Sequence, residues 1–165
     1  MSLDDKFRLM VPARFKDVLQ QKYGGRPGAT QVVVTISPDP HRNAVVYPVA
    51  EWKRYIAELQ QAPVLNRYNQ QILRFVTSLA TISELDPQGR IRLERKIIEV
   101  SKLEKRVMVS GSTTSFLIWD EKKFNEFVEE TITTADSTTD SAMNQMKGLP
   151  AGGPVIVNRP TGEGQ

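Results

Sequence analysis

The sequence of 165 residues has no cysteine, a single histidine and no long apolar run. Without cysteine, the chain has neither disulfides nor thiolate metal sites. No apolar run approaches the roughly 18 residues that a transmembrane helix needs. The first residues, Met-Ser-Leu-Asp-Asp, do not contain the basic and apolar regions of a secretion signal. These absences predict a cytoplasmic protein that does not associate with membranes.

Motifs that would indicate an enzyme are also missing. There is no Gly-x-x-x-x-Gly-Lys-Ser/Thr loop for nucleotide phosphates. The hydroxyl-rich stretch SGSTTSF does not contain the Gly-x-Ser-x-Gly turn of serine hydrolases. His41 lies in a proline-rich stretch that predicts a solvated turn rather than a catalytic position. We therefore predict no catalytic residue, metal site, cofactor or small-molecule substrate.

One unusual heptapeptide occurs twice. LDDKFRL fills positions 3–9 and LDPQGRI fills positions 85–91, and both read Leu-Asp-x-x-x-Arg followed by a large aliphatic residue. Hydrophobic periodicity predicts the same elements after each copy, namely a short helix, a hairpin and an amphipathic helix. This repeated order indicates an internal duplication.

Other elements differ between the two halves. The segment SLATISEL predicts a strand before the second heptapeptide, whereas no counterpart is expected before Leu3. Pro63 is expected to end the helix that begins near Trp52. Residues 134–165, rich in Ser, Thr, Gly and Pro, predict a disordered tail, so the ordered body is expected to end near Thr133.

The repeated aspartate and arginine fit a tight turn. Asp4 and Asp86 can accept hydrogen bonds from loop amides, and the arginine four residues later can pair with the carboxylate. As an isolated pattern this indicates only a stapled turn. Two such loops in register would present basic tips that suit phosphates and base edges, because arginine has a planar fork of donors. The predicted DNA-binding residues are Lys6, Arg8, Gln88 and Arg90, and the residues predicted to hold the turns are Asp4, Asp86 and Gly89. A further basic group, Arg92, Arg95 and Lys96, follows the second loop.

The stretches LDDKFRLMVPARFKDVL, LDPQGRIRL, VVYPVAEW and FLIWDEKKF together resemble the MraZ family of bacterial transcriptional regulators. The resemblance spans about residues 3 to 130. It implies an α+β fold, a duplicated AbrB-like swapped-hairpin β-barrel with appended helices and a pseudo-two-fold axis. It also implies a ring-shaped homo-oligomer, associated with the nucleoid, that binds G-rich direct repeats of double-stranded DNA in the promoter of the division and cell-wall gene cluster. Residues 1–63 would form the first repeat, and residues 64–133 the linker helix and the second.

The chain departs from the family pattern at Phe7, where glycine is usual. We therefore expect the first loop to be bent differently or to be strained. The alternative function is an oligomeric protein-interaction or assembly module that has the same fold and does not bind DNA.

Overall fold

The structure is a computed structural model that describes residues 1–25, 30–61, 67–112 and 114–147. Within these residues it has an α+β fold. The strands are β1 (Arg8–Met10), β2 (Gln31–Ile36), β3 (Ala44–Pro48), β4 (Thr81–Glu84), β5 (Arg90–Arg92), β6 (Val107–Gly111) and β7 (Phe116–Asp120). The helices are α1 (Ala13–Tyr23), α2 (Val49–Gln61), α3 (Arg67–Ser78), α4 (Arg95–Ser101) and α5 (Glu121–Lys147). A compact body comprises Met1–Glu126, and a second unit begins at Phe127, inside α5.

The strands form two antiparallel sheets. One is a two-stranded ribbon of β1 and β5, and the other has five strands in the order β4-β2-β3-β7-β6. The predicted closed barrel is wrong for the described residues. Closure would require every strand to have a neighbour on both sides, whereas the three-residue strands β1 and β5 pair with each other and β4 and β6 end the larger sheet.

The strand pairing has the same pattern when it is read from either heptapeptide. In the ribbon, Leu9 pairs with Ile91, the residue at the same heptapeptide position. The arginine before each of them pairs with the residue after the other, so Arg8 pairs with Arg92 and Arg90 with Met10. In the larger sheet each hairpin aligns five residues with five, from Val32↔Pro48 in one and from Val107↔Asp120 in the other. The hairpins then meet through three pairs centred on Val45↔Leu117.

The first residues of the chain provide a short counterpart to β4. Ser2 forms a β-bridge with Arg106, and the Leu3 amide donates to the Lys105 carbonyl at 2.9 Å. In the same way β4 pairs with β2, and the Leu85 amide donates to the Thr30 carbonyl at 2.9 Å. The expectation that nothing before Leu3 matches the strand of the second half was therefore wrong. Three residues are too short for the alternating pattern that identifies a strand in a sequence.

The core lies between the ribbon, the larger sheet and the short helices. Its members are aliphatic residues that alternate along the strands, and the fully buried ones include Leu9, Val34, Ile36, Val46, Ile91, Leu93, Ile97, Val107 and Ile118. The short helices pack on the hairpin of the other half. Helix α4 contacts β2 and β3, and the ring of Phe15 on α1 stacks on Phe116 of β7 with centroids 4.8 Å apart.

The longer helices bear on two predicted ends. The structure describes α2 as far as Gln61, and Pro63, which was expected to end it, lies outside the described residues. Helix α5 continues to Lys147, past Thr133 where the ordered body was expected to end. The sequence from Glu121 to Lys147 contains neither proline nor glycine, and serine and threonine reduce helix propensity by only a few tenths of a kcal/mol per residue. The rest of the predicted tail, residues 148–165, lies outside the described residues.

Candidate nucleic-acid interface

The first heptapeptide forms a turn that its aspartate holds together. Asp4 Oδ1 accepts hydrogen bonds from the backbone amides of Lys6 and Arg8, both at 2.9 Å. Asp4 Oδ2 accepts one from Arg8 Nε at 2.7 Å. Backbone bonds close the turn, since the Phe7 amide donates to the Asp4 carbonyl at 2.9 Å and the Asp4 amide to the Arg8 carbonyl at 3.0 Å. The predicted pairing of aspartate with arginine is confirmed.

The second heptapeptide repeats these bonds. Asp86 Oδ1 accepts from the amides of Gln88 at 3.0 Å and Arg90 at 2.9 Å, and Oδ2 accepts from Arg90 Nε at 2.7 Å. The Gly89 amide donates to the Asp86 carbonyl at 2.7 Å. Hydrogen bonds from the arginine backbone amides lower the pKa of both Asp4 and Asp86, because these donors favour the charged carboxylate. Both carboxylates are therefore ionised at neutral pH.

Both turns need one residue in the left-handed region. Gly89 has φ of 78°, as predicted, and Phe7 in the same place has φ of 57°. The expectation of a different bend in the first loop was wrong, because its hydrogen bonds match those of the second. The expectation of strain holds, since a left-handed conformation costs an L-residue such as Phe7 about 1–2 kcal/mol.

The ribbon connects the two loops and carries basic side chains on one face. Leu9 and Ile91 are fully buried, so the residues on either side of each point away from the core, because side chains alternate along a strand. We call this surface the outer face of the ribbon, and it consists of Arg8, Met10, Arg90 and Arg92. In its register Arg8 pairs with Arg92 and Met10 with Arg90. Cα atoms of such cross-strand pairs lie about 4.5–5.5 Å apart, so the four side chains form one patch.

The turns also leave part of each guanidinium accessible. The side chains of Arg8 and Arg90 are 32% and 27% exposed. Because aspartate binds Nε, the edge formed by Nη1 and Nη2 can still present two donors. In the second loop Nη2 of Arg90 also donates to Gln88 Oε1 at 3.1 Å, so Gln88 orients the arginine. Lys6 is exposed at the tip of the first turn.

Sequence reasoning missed two residues near the loops. Met10 is 43% exposed and lies among the arginines. The alternation after Arg8 could have placed it on their side of the strand, but an exposed methionine between basic residues has no distinctive sequence signal. Lys16 of α1 lies against Gly89, a contact that depends on the tertiary fold and leaves no local pattern.

The remaining candidates have structural explanations. The amide of His41 donates to Asp39 Oδ1 at 2.9 Å in a turn, and the imidazole ring lies 5.4 Å from the ring of Trp119. Lys96 forms an ion pair with Glu99 at 3.7 Å along α4. In the described part of the chain no cluster of histidine and carboxylate side chains could hold a metal ion. Across the same residues, no helix combines the length and the apolar character that crossing a membrane requires.

The buried carboxylate of Glu51 connects helices. It accepts hydrogen bonds from the Tyr23 hydroxyl and from Lys22 Nζ, the latter at 2.9 Å, and its other oxygen lies 2.5 Å from Arg54 Nη2. The hydrogen bond from Tyr23 and that from Lys22 lower the pKa of Glu51. A carboxylate held ionised by three partners has a structural role and does not indicate acid-base catalysis.

The α+β scaffold thus displays three arginines on a two-stranded ribbon. The family model described as "MraZ protein, putative antitoxin-like" matches residues 1–75 and 77–146. The transcriptional regulator MraZ of Pseudomonas aeruginosa (strain LESB58) is 34% identical over 151 residues, which cover 91% of this chain and 90% of the relative. The MraZ regulator of Pseudomonas putida (strain GB-1) is 36% identical over 126 residues, covering 76% and 79%. The chain belongs to the MraZ family, whose relatives are named as transcriptional regulators, a class that is not enzymatic.

Proposed function

We propose that this protein regulates transcription by binding DNA in a sequence-specific manner through the outer face of the ribbon and the two loops. The observation that carries the proposal is the pair of equivalent turns that bring Arg8 and Arg90 to one exposed face beside Arg92. Aspartate binds only the Nε donor of Arg8 and of Arg90, so other donors of the three arginines have no carboxylate partner and can attract phosphates. The planar fork of an arginine can also read guanine in the major groove.

Each loop residue has a role in this proposal. Arg8 and Arg90 bind a phosphate or a guanine edge with the Nη1 and Nη2 donors that aspartate leaves accessible. Lys6 contacts the phosphate backbone as a point charge. Gln88 holds Arg90 in position and can itself reach a base edge. The residues that hold the turns in shape are Asp4, Asp86 and Gly89.

We further propose that the body is an internal duplication with swapped elements. The equivalent strand registers, the packing of each short helix on the other hairpin and the family match over two successive segments support it. Residues 1–63 form the first AbrB-like repeat, and residues 64–133 form the linker helix and the second. A pseudo-two-fold axis would then pass between Leu9 and Ile91.

The protein acts as a ring-shaped homo-oligomer in this proposal. One subunit offers only a few basic side chains, so several subunits must act together on successive DNA repeats. Linked sites raise avidity by about 10²–10⁴ when their geometry matches the spacing of the repeats. The target is a set of G-rich direct repeats in the promoter of the division and cell-wall gene cluster, and the protein is found with the nucleoid. Multi-angle light scattering at micromolar concentration should report an oligomer, and a monomer would contradict this assembly.

A mobility-shift titration against the DNA upstream of the protein's own gene tests the proposal. We expect a specific complex that survives excess unrelated DNA and weakens steeply with salt, because phosphate contacts release counterions. A scrambled sequence of the same composition is the control. Equal binding to both DNAs would exclude sequence-specific recognition. No binding to either would favour an assembly module that does not bind DNA.

A further inference from the structure

Lys16 occupies space that only a glycine leaves open. A Cβ atom at position 89 would lie 2.7 Å from Lys16 Cδ and 2.8 Å from Lys16 Nζ. Both distances are shorter than a van der Waals contact, so the end of the lysine lies directly on the backbone of Gly89. The lysine thus depends on the same glycine that gives the second loop its left-handed residue.

The fold holds α1 over the second loop. The Val11 amide donates to the Gly89 carbonyl at 3.0 Å, which fixes the end of β1 beside the loop. Helix α1 begins two residues later, at Ala13, so its first turn delivers Lys16 to Gly89. The side chain is half-buried, and the contact is therefore built into the fold.

The charge of Lys16 has no carboxylate partner within ion-pair distance in the described ranges. The acidic residue of the loop, Asp86, is already bound by two amides and Arg90. The neighbouring Glu84 accepts a hydrogen bond from the Thr30 hydroxyl at 3.2 Å. The ammonium group therefore adds positive charge beside Gln88 and Gly89, in an open depression whose lining also includes Glu84 and Asp86.

The helical position equivalent to Lys16 near the first loop has an aliphatic residue. Lys16 is the fourth residue of α1, and the fourth residue of α4 is Ile98, which packs against the core. The residue equivalent to Gly89 is Phe7. The second loop thus combines Gly89 with Lys16, whereas the equivalent residues at the first loop are Phe7 and Ile98.

We propose that Lys16 binds a phosphate of the DNA backbone beside the second loop, a contact that Ile98 at the equivalent place near the first loop cannot make. This inference rests on the proposed DNA-binding function. Lysine suits the task because its ammonium is a compact point charge, whereas the arginines supply the geometry for base edges.

The test compares three variants by mobility shift between 50 and 300 mM salt. Lys16→Met keeps the aliphatic stem against Gly89 and removes the charge, and Lys16→Arg keeps the charge. Lys53→Met is the matched control, because Lys53 is exposed on α2, which contacts β2, β3 and α3 rather than the ribbon. Removing the charge that neutralises one phosphate makes the slope of log K against log salt less steep by about 0.9. Relative to a reference of about 1 M salt, this corresponds to roughly eightfold weaker binding at about 0.1 M salt.

We expect the slope of Lys16→Met to fall by the equivalent of about one phosphate per engaged subunit, while Lys16→Arg and Lys53→Met bind like the parent protein. Equal slopes for the parent protein and Lys16→Met would overturn the role of Lys16. An equal fall in Lys53→Met would also overturn it, because the effect would then reflect net charge. Failure of the parent protein to bind the promoter would instead contradict the proposed function itself. The melting temperature of each variant shows whether it is folded. If Lys16→Met melts at a lower temperature than the parent protein, the salt slope of Lys16→Gln is compared with that of Lys16→Arg instead.

Discussion

The two heptapeptide loops share the hydrogen bonds between aspartate and arginine that hold their turns, although their sequences share only the leucine, the aspartate and the arginine. In each, one carboxylate oxygen accepts two backbone amides and the other accepts the arginine Nε at 2.7 Å. They differ at the left-handed residue, Phe7 in one and Gly89 in the other. The aspartate therefore determines the turn, and the left-handed residue only changes the free energy needed to adopt it.

The loops differ more in the surface around them than in their backbone. Lys16 on α1 lies beside the second loop, where Met10 pairs with Arg90, whereas Arg92 pairs with Arg8 of the first loop. At the place equivalent to Lys16 near the first loop the chain has Ile98. The cations are therefore arranged differently around the two loops, with Lys6 and Arg92 beside the first and Lys16 beside the second. We expect the two loops to contribute unequally to DNA binding.

The largest expected effect comes from removing the arginine of the first loop. Arg8→Ala should abolish specific binding at physiological salt, because removal of a bidentate base interaction costs about 1–3 kcal/mol at each site and the cost is repeated around a ring. Arg90→Ala should weaken binding by a smaller factor, since Lys16 remains beside its loop. Mobility-shift titrations measure both, and light scattering should report an unchanged oligomer. If Arg8→Ala binds promoter DNA like the parent protein, the first loop does not read DNA.

Removing an aspartate should have the next largest effect and should act mainly on stability. Asp86→Ala deletes the acceptor of two backbone amides and of Arg90 Nε, which leaves three donors without their acceptor and loosens the end of β5. We expect the melting temperature to fall by several degrees in calorimetry, with a similar fall for Asp4→Ala because its bonds are the same. Glu84→Ala, an exposed carboxylate next to the second loop, is the control. A large difference between the two aspartates would show that the turns are not equivalent in energy.

Much of this arrangement could be predicted from local sequence. The turn at Asp86, the left-handed Gly89 and both hairpins follow from patterns within a few residues. Met10 could not be assigned to the site, because its neighbours depend on the register between β1 and β5. The contact of Lys16 with Gly89 depends on tertiary packing. The closed barrel was an expectation from resemblance alone. The end of α5 was placed too early because the composition of residues 134–165 was taken as a whole, although their glycines and prolines begin only at Gly148, after the helix.

Acid should weaken both turns to a moderate extent. The folded-state pKa of Asp4 and of Asp86 is lowered. At pH values between the folded and the unfolded pKa, the folded protein therefore binds fewer protons than the unfolded chain. The stabilisation is complete above the ordinary aspartate pKa of about 3.9 and is lost as the pH falls through the lower folded values. Melting temperatures measured from pH 6 to pH 3 should fall less steeply in the variant Asp4→Asn, Asp86→Asn than in the parent protein. Parallel curves would mean that neither carboxylate contributes to the acid sensitivity.

The smallest expected effect is that of giving the first loop the glycine of the second. Phe7→Gly relieves a left-handed strain of about 1–2 kcal/mol, but glycine adds roughly 0.5–1 kcal/mol of backbone entropy to the unfolded chain and the half-buried ring is removed. These terms nearly cancel, so the melting temperature should change by only a few degrees. DNA affinity should stay equal or improve, because no bond between Asp4 and Arg8 involves the phenylalanine side chain. Gly89→Ala is the reciprocal variant and should be less stable, since its Cβ meets Lys16 at φ of 78°. A loss of affinity in Phe7→Gly at an unchanged melting temperature would instead assign the ring itself a contact with DNA.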